Sequence, residues 1–163
     1  MLLNLMTAWV FPEHREPFER GQVQWRSLKR VEGFLGQTGG WAGEDYVCLA
    51  SLWSDLASFQ AHTQEGSYTP EGLSARCEEL TESQWERVLD IPGSARSPGL
   101  AMATGGFMRI ARCTVPKGRQ AHFIEAQRTI WNQGMSKRQA MQGGFFGRRV
   151  DSPGKNEFLI FTF

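Results

Sequence analysis

The chain has 163 residues, of which 40 % are apolar and 21 % charged, and its formal net charge is +1. A charge so close to zero gives no field for attracting nucleic acid or an anionic membrane, so we expect neither partner. With 6 Trp and 11 Phe residues the chain is also excluded from the disordered class.

The three cysteines, Cys48, Cys77 and Cys113, are far apart and form no CxxC pair or Cys/His cluster. This pattern predicts neither a disulfide framework nor a metal site. Residues 1–11 are apolar but lack a basic region and a small-residue cleavage site, which favours a strand over a signal peptide. Since no apolar stretch approaches the roughly 20 residues of a membrane helix, we predict a cytoplasmic protein.

Apolar periodicity and turn residues in the first half of the chain predict the order β-α-β-β-α-β. The predicted elements are a strand over 2–11, a helix from Pro17 to near Gly33, a strand from Gly33, a hairpin over 39–43, a strand over 46–53, a helix capped by Ser54-Asp55, a polar loop over 63–82 with a short helix over 73–80 as an alternative, and a strand over 84–91.

The pattern of the second half of the chain predicts the same order of elements without the last helix and strand. Small residues, Pro and Gly dominate 92–105, which is typical of a linker. A strand over 106–115, a helix over about 119–140, and strands over about 144–150 and 157–163 follow. We therefore predict a complete first repeat over 1–93, a linker over 94–105, and a second repeat over 106–163 without its last helix and strand.

Four sequence matches in the same order support a duplication. Residues 10–15 match 114–119 at an offset of 104, and Phe18 and Gln22 match Phe123 and Gln127 at an offset of 105. At an offset of 111, residues 33–36 match 144–147, and 47–52 match 158–163.

These patterns predict an α+β fold with two tandem ferredoxin-like βαββαβ units, each an antiparallel sheet with helices on one face. The open face of each sheet must be buried, either against the other repeat or against a second chain. We therefore expect an internal two-repeat barrel, a homodimer, or both. The apolar end of the chain, residues 158–163, has two interpretations, a natural short form or a truncated product.

The run Gly33–Trp41, the strand 47–52 and the following segment 53–59 (WSDLASF) resemble the antibiotic-biosynthesis-monooxygenase-like family of dimeric α/β-barrel proteins, in its uncharacterised bacterial branch. The resemblance implies a small hydrophobic or aromatic ligand and either a cofactor-independent oxygenase, a haem-binding or haem-degrading protein, or a binding and assembly module without turnover. Fold alone does not decide among these activities.

The candidate pocket residues are Trp25, Trp53, Phe59, His62 and Trp85. By resemblance to the haem-degrading relatives, Trp53 lines the pocket and His62 binds haem; the alternatives are a core tryptophan and a solvated histidine at a helix C-terminus. The same relatives use an asparagine on the first strand, and we expect Thr7 or Ala8 rather than Asn4 at that place. This departure argues against haem, so we expect no cofactor, and no acid–base pair identifies a catalytic residue.

Two other histidines, His14 and His122, are expected on the surface near the start of the first helix of their repeats. His122 and Glu125 are three residues apart on the predicted helix, which alone does not make a metal site. The basic pairs of the second repeat do not indicate RNA binding, because the strand over 46–53 lacks the stacking aromatics of RNA-recognition modules.

Overall fold

A computed structural model describes residues 1–64, 77–90, 102, 106–151, 154 and 156–163 of the chain. These residues form two compact units, Met1–Ser83 and Gln84–Phe163. None of the helices in these ranges is long and apolar enough to cross a membrane.

The first unit has the strand order of a split βαβ fold. Its elements are β1 (Leu2–Val10), α1 (Arg15–Gln24), β2 (Phe34–Trp41), β3 (Tyr46–Trp53), α2 (Leu56–Gln64) and the first part of β4 (Cys77–Asp90), with 3-10 turns at Pro12–His14 and Trp25–Arg30. The order across the sheet is β2-β3-β1-β4, and β3 is antiparallel to both β1 and β2. The predicted α+β, ferredoxin-like fold is confirmed.

One hydrophobic cluster of the first unit lies between its sheet and α1. Met6, Ala8 and Val10 alternate along β1 and pack with Phe18 of α1 and with Val47 and Leu49 of β3. Since successive strand residues point to opposite faces, all even-numbered residues of β1 lie on the face that α1 covers.

The second unit also has a sheet with helices packed on one face, but β4 lies at a different edge of that sheet. It contains the end of β4, then β5 (Arg109–Thr114), α3 (Gln120–Ala126), a π-helical turn (Gln127–Trp131), α4 (Asn132–Ser136), β6 (Gly144–Arg149) and β7 (Glu157–Thr162). The strand order is β4-β6-β7-β5. Phe146 and Phe158 are buried against Phe123 of α3, so helix and sheet pack as in the first unit.

Two predictions about turn and loop segments differ from the structure. The hairpin was expected over 39–43, but Gly39 and Gly40 still pair with β3, so β2 continues to Trp41. Residues 77–82 were predicted to lie in the polar loop, with the short helix over 73–80 as an alternative, and they belong to β4. Residues 65–76, the rest of that predicted loop, lie outside the described part of the chain, as does the linker 94–105 except for the buried Met102.

The compact units divide between Ser83 and Gln84, whereas the sequence placed the strand over 84–91 in the first repeat. The reason is strand pairing: residues Trp85–Asp90 of β4 pair with β6 of the second unit. A strand's partner depends on contacts far along the chain, which local composition does not report.

The repeat alignment also changes at two places. The register equates Ala8 with Cys113, so Val10 corresponds to Val115 and the match of 10–15 shifts by one residue. The sequence matched residues 33–36 with 144–147, but the sheet register matches Gln37, which pairs with Ser51, to Gly144, which pairs with Thr162. The match of 47–52 to 158–163 agrees with the register, since Val47 pairs with Ala8 and Phe158 with Cys113.

Candidate functional site

A row of polar side chains crosses the helix-covered face of the first unit's sheet. Asn4 of β1 pairs with Ser51 of β3, and Ser51 pairs with Gln37 of β2. Residues that oppose each other in antiparallel strands project to the same side, and Asn4 lies on the same side as Met6. Three neighbouring strands therefore place polar groups in one line beneath the helices.

Three carboxamide side chains of this unit have buried oxygen atoms that accept no hydrogen bond within the described part of the chain. They are Asn4 Oδ1, Gln37 Oε1 and Gln22 Oε1, the last on α1. Asn4 as a whole is only 4 % exposed. Because buried polar groups in folded proteins are nearly always hydrogen-bonded, three such oxygen atoms indicate a place that a ligand or ordered water completes.

The direction of α1 brings Gln22 towards this row. Strands β1 and β2 are both antiparallel to β3, so α1, which connects them, runs back along the sheet. Phe18 packs beside Met6 and Leu49, and Gln22 follows Phe18 by one helical turn, about 5.4 Å further along. The row containing Asn4 is the next one along the sheet in that direction.

Trp53 borders the polar row at the end of β3. It is 2 % exposed, and its indole Nε1 donates a hydrogen bond to Ser51 Oγ at 3.0 Å. The ring stacks on His62 with centroids 5.3 Å apart, and meets Phe34 and Phe59 edge-on at 5.3 and 5.6 Å. The site therefore combines a line of carboxamide and hydroxyl groups with an aromatic wall.

A cap at the start of α2 fixes this wall. Asp55 Oδ1 accepts hydrogen bonds from the backbone N–H of Ser58 at 2.8 Å and from its hydroxyl at 3.0 Å, while Ser54 Oγ donates to Asp55 Oδ2 at 2.9 Å. The Ser58 N–H and the two hydroxyls lower the pKa of the Asp55 carboxyl. Gly33, at φ +79°, accepts the Ser54 N–H at 2.7 Å. These contacts orient Phe59 and His62 towards Trp53.

Three of the five predicted pocket residues come together in the first unit: Trp53, Phe59 and His62. The interpretation of His62 as a solvated side chain is wrong, since it is 4 % exposed and stacked on the indole. Trp25 lies in a 3-10 turn, and its side chain is outside the described part of the structure.

Trp85 belongs to the second unit. It is fully buried, and the guanidinium groups of Arg149 and Arg112 lie 5.5 and 5.9 Å from its ring centroid. Arg149 donates hydrogen bonds to Asp151 at 2.6 Å and to Glu157 at 2.8 Å, and these partners raise the pKa of its guanidinium. The contacts of Trp85 in this unit are those of a core residue.

Of the two residues expected at the place of the first-strand asparagine, Ala8 lies on the helix-covered face, paired with Val47, and Thr7 does not. Thr7 lies on the opposite face, paired with Cys48, whereas Asn4 lies in the row with Ser51, two residues from Trp53 along the sheet. The sequence analysis also missed Gln22 and Gln37. A signal existed for Asn4 only: it is the one carboxamide of a mostly apolar strand, at even spacing from Leu2 and Met6.

Within the described ranges, no group of three His, Cys, Asp or Glu residues could hold a metal ion. His122 is exposed and His14 partly buried against Phe11. The Cys48 thiol, on the other face of β3, has a pKa raised to about 11 by burial, so it is not an activated nucleophile.

A family model described as a domain of unknown function, DUF4937, matches residues 2–67. No curated protein matches the sequence.

Three solved structures resemble nearly the whole chain. A candidate monooxygenase from Fusobacterium nucleatum has a TM-score of 0.74 at 13 % identity, with 99 % of this chain and 74 % of that chain covered. A candidate monooxygenase from Lactobacillus acidophilus has a TM-score of 0.72 at 14 % identity, covering 99 % and 75 %. An anthrone oxidase-like protein has a TM-score of 0.71 at 10 % identity, covering 99 % and 71 %. The chain therefore has the two-repeat, monooxygenase-like fold.

Proposed function

We propose that the first unit binds an uncharged, planar aromatic molecule that carries hydroxyl or carbonyl groups, and that the protein oxidises this molecule with dioxygen without a cofactor. The observation that supports the proposal most directly is the set of three buried carboxamide oxygen atoms, on Asn4, Gln22 and Gln37, that accept no hydrogen bond within the described residues. The aromatic side chains around Trp53 support the proposal as well, because a planar ring can pack against them.

The chemistry of the polar row favours a neutral ligand. Its side chains are carboxamides and a hydroxyl, none of which is charged, and a buried ion without a charged partner costs too much free energy. A carboxamide both donates and accepts hydrogen bonds. It can accept a hydrogen bond from a phenolic hydroxyl and, once that proton has passed to a water molecule, donate to the resulting oxyanion. These groups therefore stabilise the electron-rich form that reacts with dioxygen.

The reaction that fits needs no further reactant. For an anthrone, the CH₂ group opposite the carbonyl loses two hydrogen atoms and gains one oxygen atom, which is a four-electron oxidation. Dioxygen accepts the four electrons; one of its atoms becomes the new carbonyl oxygen and the other leaves as water with the two hydrogens. The protein's part is to bind the ring against Trp53, exclude bulk water and stabilise the oxyanion.

Haem fits this arrangement poorly. The imidazole of His62 is 4 % exposed and its ring face is covered by Trp53 at 5.3 Å. An iron porphyrin would have to displace α2 or the indole before this histidine could act as an axial ligand. We therefore propose that no cofactor takes part. The cysteines Cys48 and Cys113 are not in a disulfide, and on this ground we also propose a cytoplasmic location.

The test is oxygen consumption with 1,8-dihydroxy-9-anthrone, corrected for its spontaneous oxidation, together with formation of 1,8-dihydroxyanthraquinone. We expect one dioxygen consumed per quinone formed. Asn4→Leu should lower kcat/KM by roughly 10- to 100-fold, since losing a hydrogen bond to a buried group costs about 1–3 kcal/mol. Thr7→Val, on the opposite face of the same strand, is the matched control and should retain the wild-type rate.

Two alternatives give different results. If the ligand binds saturably but no oxygen is consumed above background, the protein is a binding module and the oxygenase proposal is wrong. If haemin produces a Soret shift that is lost in His62→Ala, the haem activity replaces our proposal; we expect a flat haemin titration.

A further inference from the structure

The two units can be compared position by position because their sheets have matching registers. In the first unit Ser51 pairs with Asn4 on one side and Gln37 on the other. In the second unit Thr162 occupies the place of Ser51 and pairs with Arg109 and Gly144. The carboxamides of β1 and β2 thus have no counterpart: an exposed arginine and a glycine stand in their positions.

The glutamine on the first helix is present in both units but differs in its contacts. Gln22 follows Phe18 by four residues, and Gln127 follows Phe123 by four. Gln127 is 2 % exposed and its Nε2 donates a hydrogen bond of 2.6 Å to Oδ1 of the fully buried Asn132. The second unit satisfies its glutamine internally, whereas Gln22 Oε1 accepts no hydrogen bond from the described residues.

The π-helical turn explains why only the second unit has this pair. Residues Gln127–Trp131 form the turn, and α4 continues directly with Asn132. A π-helical turn bonds residues five apart, which aligns position 127 with position 132. In the first unit α1 ends at Gln24 and a 3-10 turn follows, and the residue five after Gln22 is a serine rather than an asparagine.

Aromatic rings also replace smaller residues in the second unit. Phe146 and Phe158 stand where the first unit has Gly39 and Val47. Phe123 packs on Phe158 with centroids 4.8 Å apart and on Phe146 at 6.4 Å, and Phe146 is fully buried. The helix-covered face of this unit therefore carries a cluster of aromatic side chains around Phe146.

We infer that the two repeats have diverged into one ligand-binding unit and one structural unit, so that each chain binds a single ligand, in the unit Met1–Ser83. This inference rests on the proposed function of the first unit. It adds that one ligand binds per chain and that the second unit binds none. Arg109, Gly144 and the Gln127–Asn132 pair are the features that remove binding from the second unit.

The experiment is a calorimetric titration of the full chain with 1,8-dihydroxyanthraquinone, a stable neutral probe. We expect a stoichiometry of one per chain. Asn4→Leu should weaken the affinity at least 10-fold. Arg109→Leu, the same replacement at the equivalent position of the second unit, should leave the dissociation constant within twofold of wild type.

A second measurement does not depend on how well the variants fold. In ¹⁵N-labelled wild-type protein, the side-chain amide signals of Asn4, Gln22 and Gln37 should shift when the probe is added, while those of Gln127 and Asn132 should not. Two sites per chain, or shifts at Gln127, would overturn the inference and leave the proposed function intact. A complete absence of saturable binding would refute the proposed function and the inference with it.

Discussion

Replacing Asn4 by leucine should make the protein more stable while it weakens ligand binding. Asn4 is 4 % exposed and its Oδ1 accepts no hydrogen bond within the described residues. A buried polar group left without a partner costs about 1–3 kcal/mol, and a leucine of similar size at that position removes this cost.

The expected magnitude follows from two opposing terms. Removing the unsatisfied amide should raise the free energy of unfolding by about 1–3 kcal/mol. Imperfect packing of the leucine beside Met6 and Ser51 should lower it by less than about 1.5 kcal/mol. We expect the free energy of unfolding to rise by about 1–2 kcal/mol. For a chain of this length that corresponds to an increase in Tm of roughly 3–6 °C.

The assay is urea unfolding of the ligand-free protein followed by Trp fluorescence, with Ser51→Ala as the comparison. Ser51→Ala leaves the Trp53 N–H without its 3.0 Å acceptor, so it should lower the unfolding free energy by about 1–2 kcal/mol. If Asn4→Leu destabilises the protein as much as Ser51→Ala does, Asn4 is a satisfied core residue and the argument for the site fails.

Three further predictions concern the framework and the chemistry around it. Gly33→Ala should destabilise the protein by roughly 1–3 kcal/mol in urea unfolding, because φ is +79° and the added Cβ would lie 2.7 Å from the Ser54 hydroxyl. The control Gly40→Ala has no atom within 4 Å of the added Cβ and should cost under 1 kcal/mol. Equal losses of stability in the two variants would refute this reasoning. Arg149→Gln should lower the free energy of unfolding by about 2–3 kcal/mol, since Arg149 and its two carboxylate partners are only 13–23 % exposed. The control Arg128→Gln removes an exposed ion pair of 3.8 Å and should change the free energy of unfolding by under 1 kcal/mol. At pH 8 iodoacetamide should alkylate Cys48 about 100-fold more slowly than a thiol of pKa 9.0, because burial raises the pKa of Cys48 to about 11. Peptide mass spectrometry measures the alkylation rate in native buffer and in urea. Equal rates in the two conditions would contradict the prediction.

The strands and helices were predictable where the local pattern is strong. The apolar run of β3 was placed at its observed bounds, Tyr46–Trp53, and Asp55 was identified as a cap. The duplication was evident because Phe18 and Gln22 recur as Phe123 and Gln127 in the same order. Boundaries were less certain at β2, because glycines that usually signal a turn can also continue a strand when a partner strand holds them.

The candidate site was only half predictable. Trp53 and Phe59 attract notice as large aromatic residues, and the structure places them together with His62. The amides of Gln22 and Gln37 carry no such signal, because a glutamine in a helix or strand is usually solvated. Only the register of the three strands and the direction of α1 reveal that these amides converge on one face.

The sequence by itself determined the fold class and its duplication, because alternation, helical spacing and repeat order are properties of neighbouring residues. Tertiary structure alone decided which strand each segment joins, as β4 shows by pairing with β6, and which side chains lie in one row, as Asn4, Ser51 and Gln37 do. The physical reason is that a one-residue shift of register sends a side chain to the opposite face of the sheet, and register is set by packing between segments that are distant in the chain.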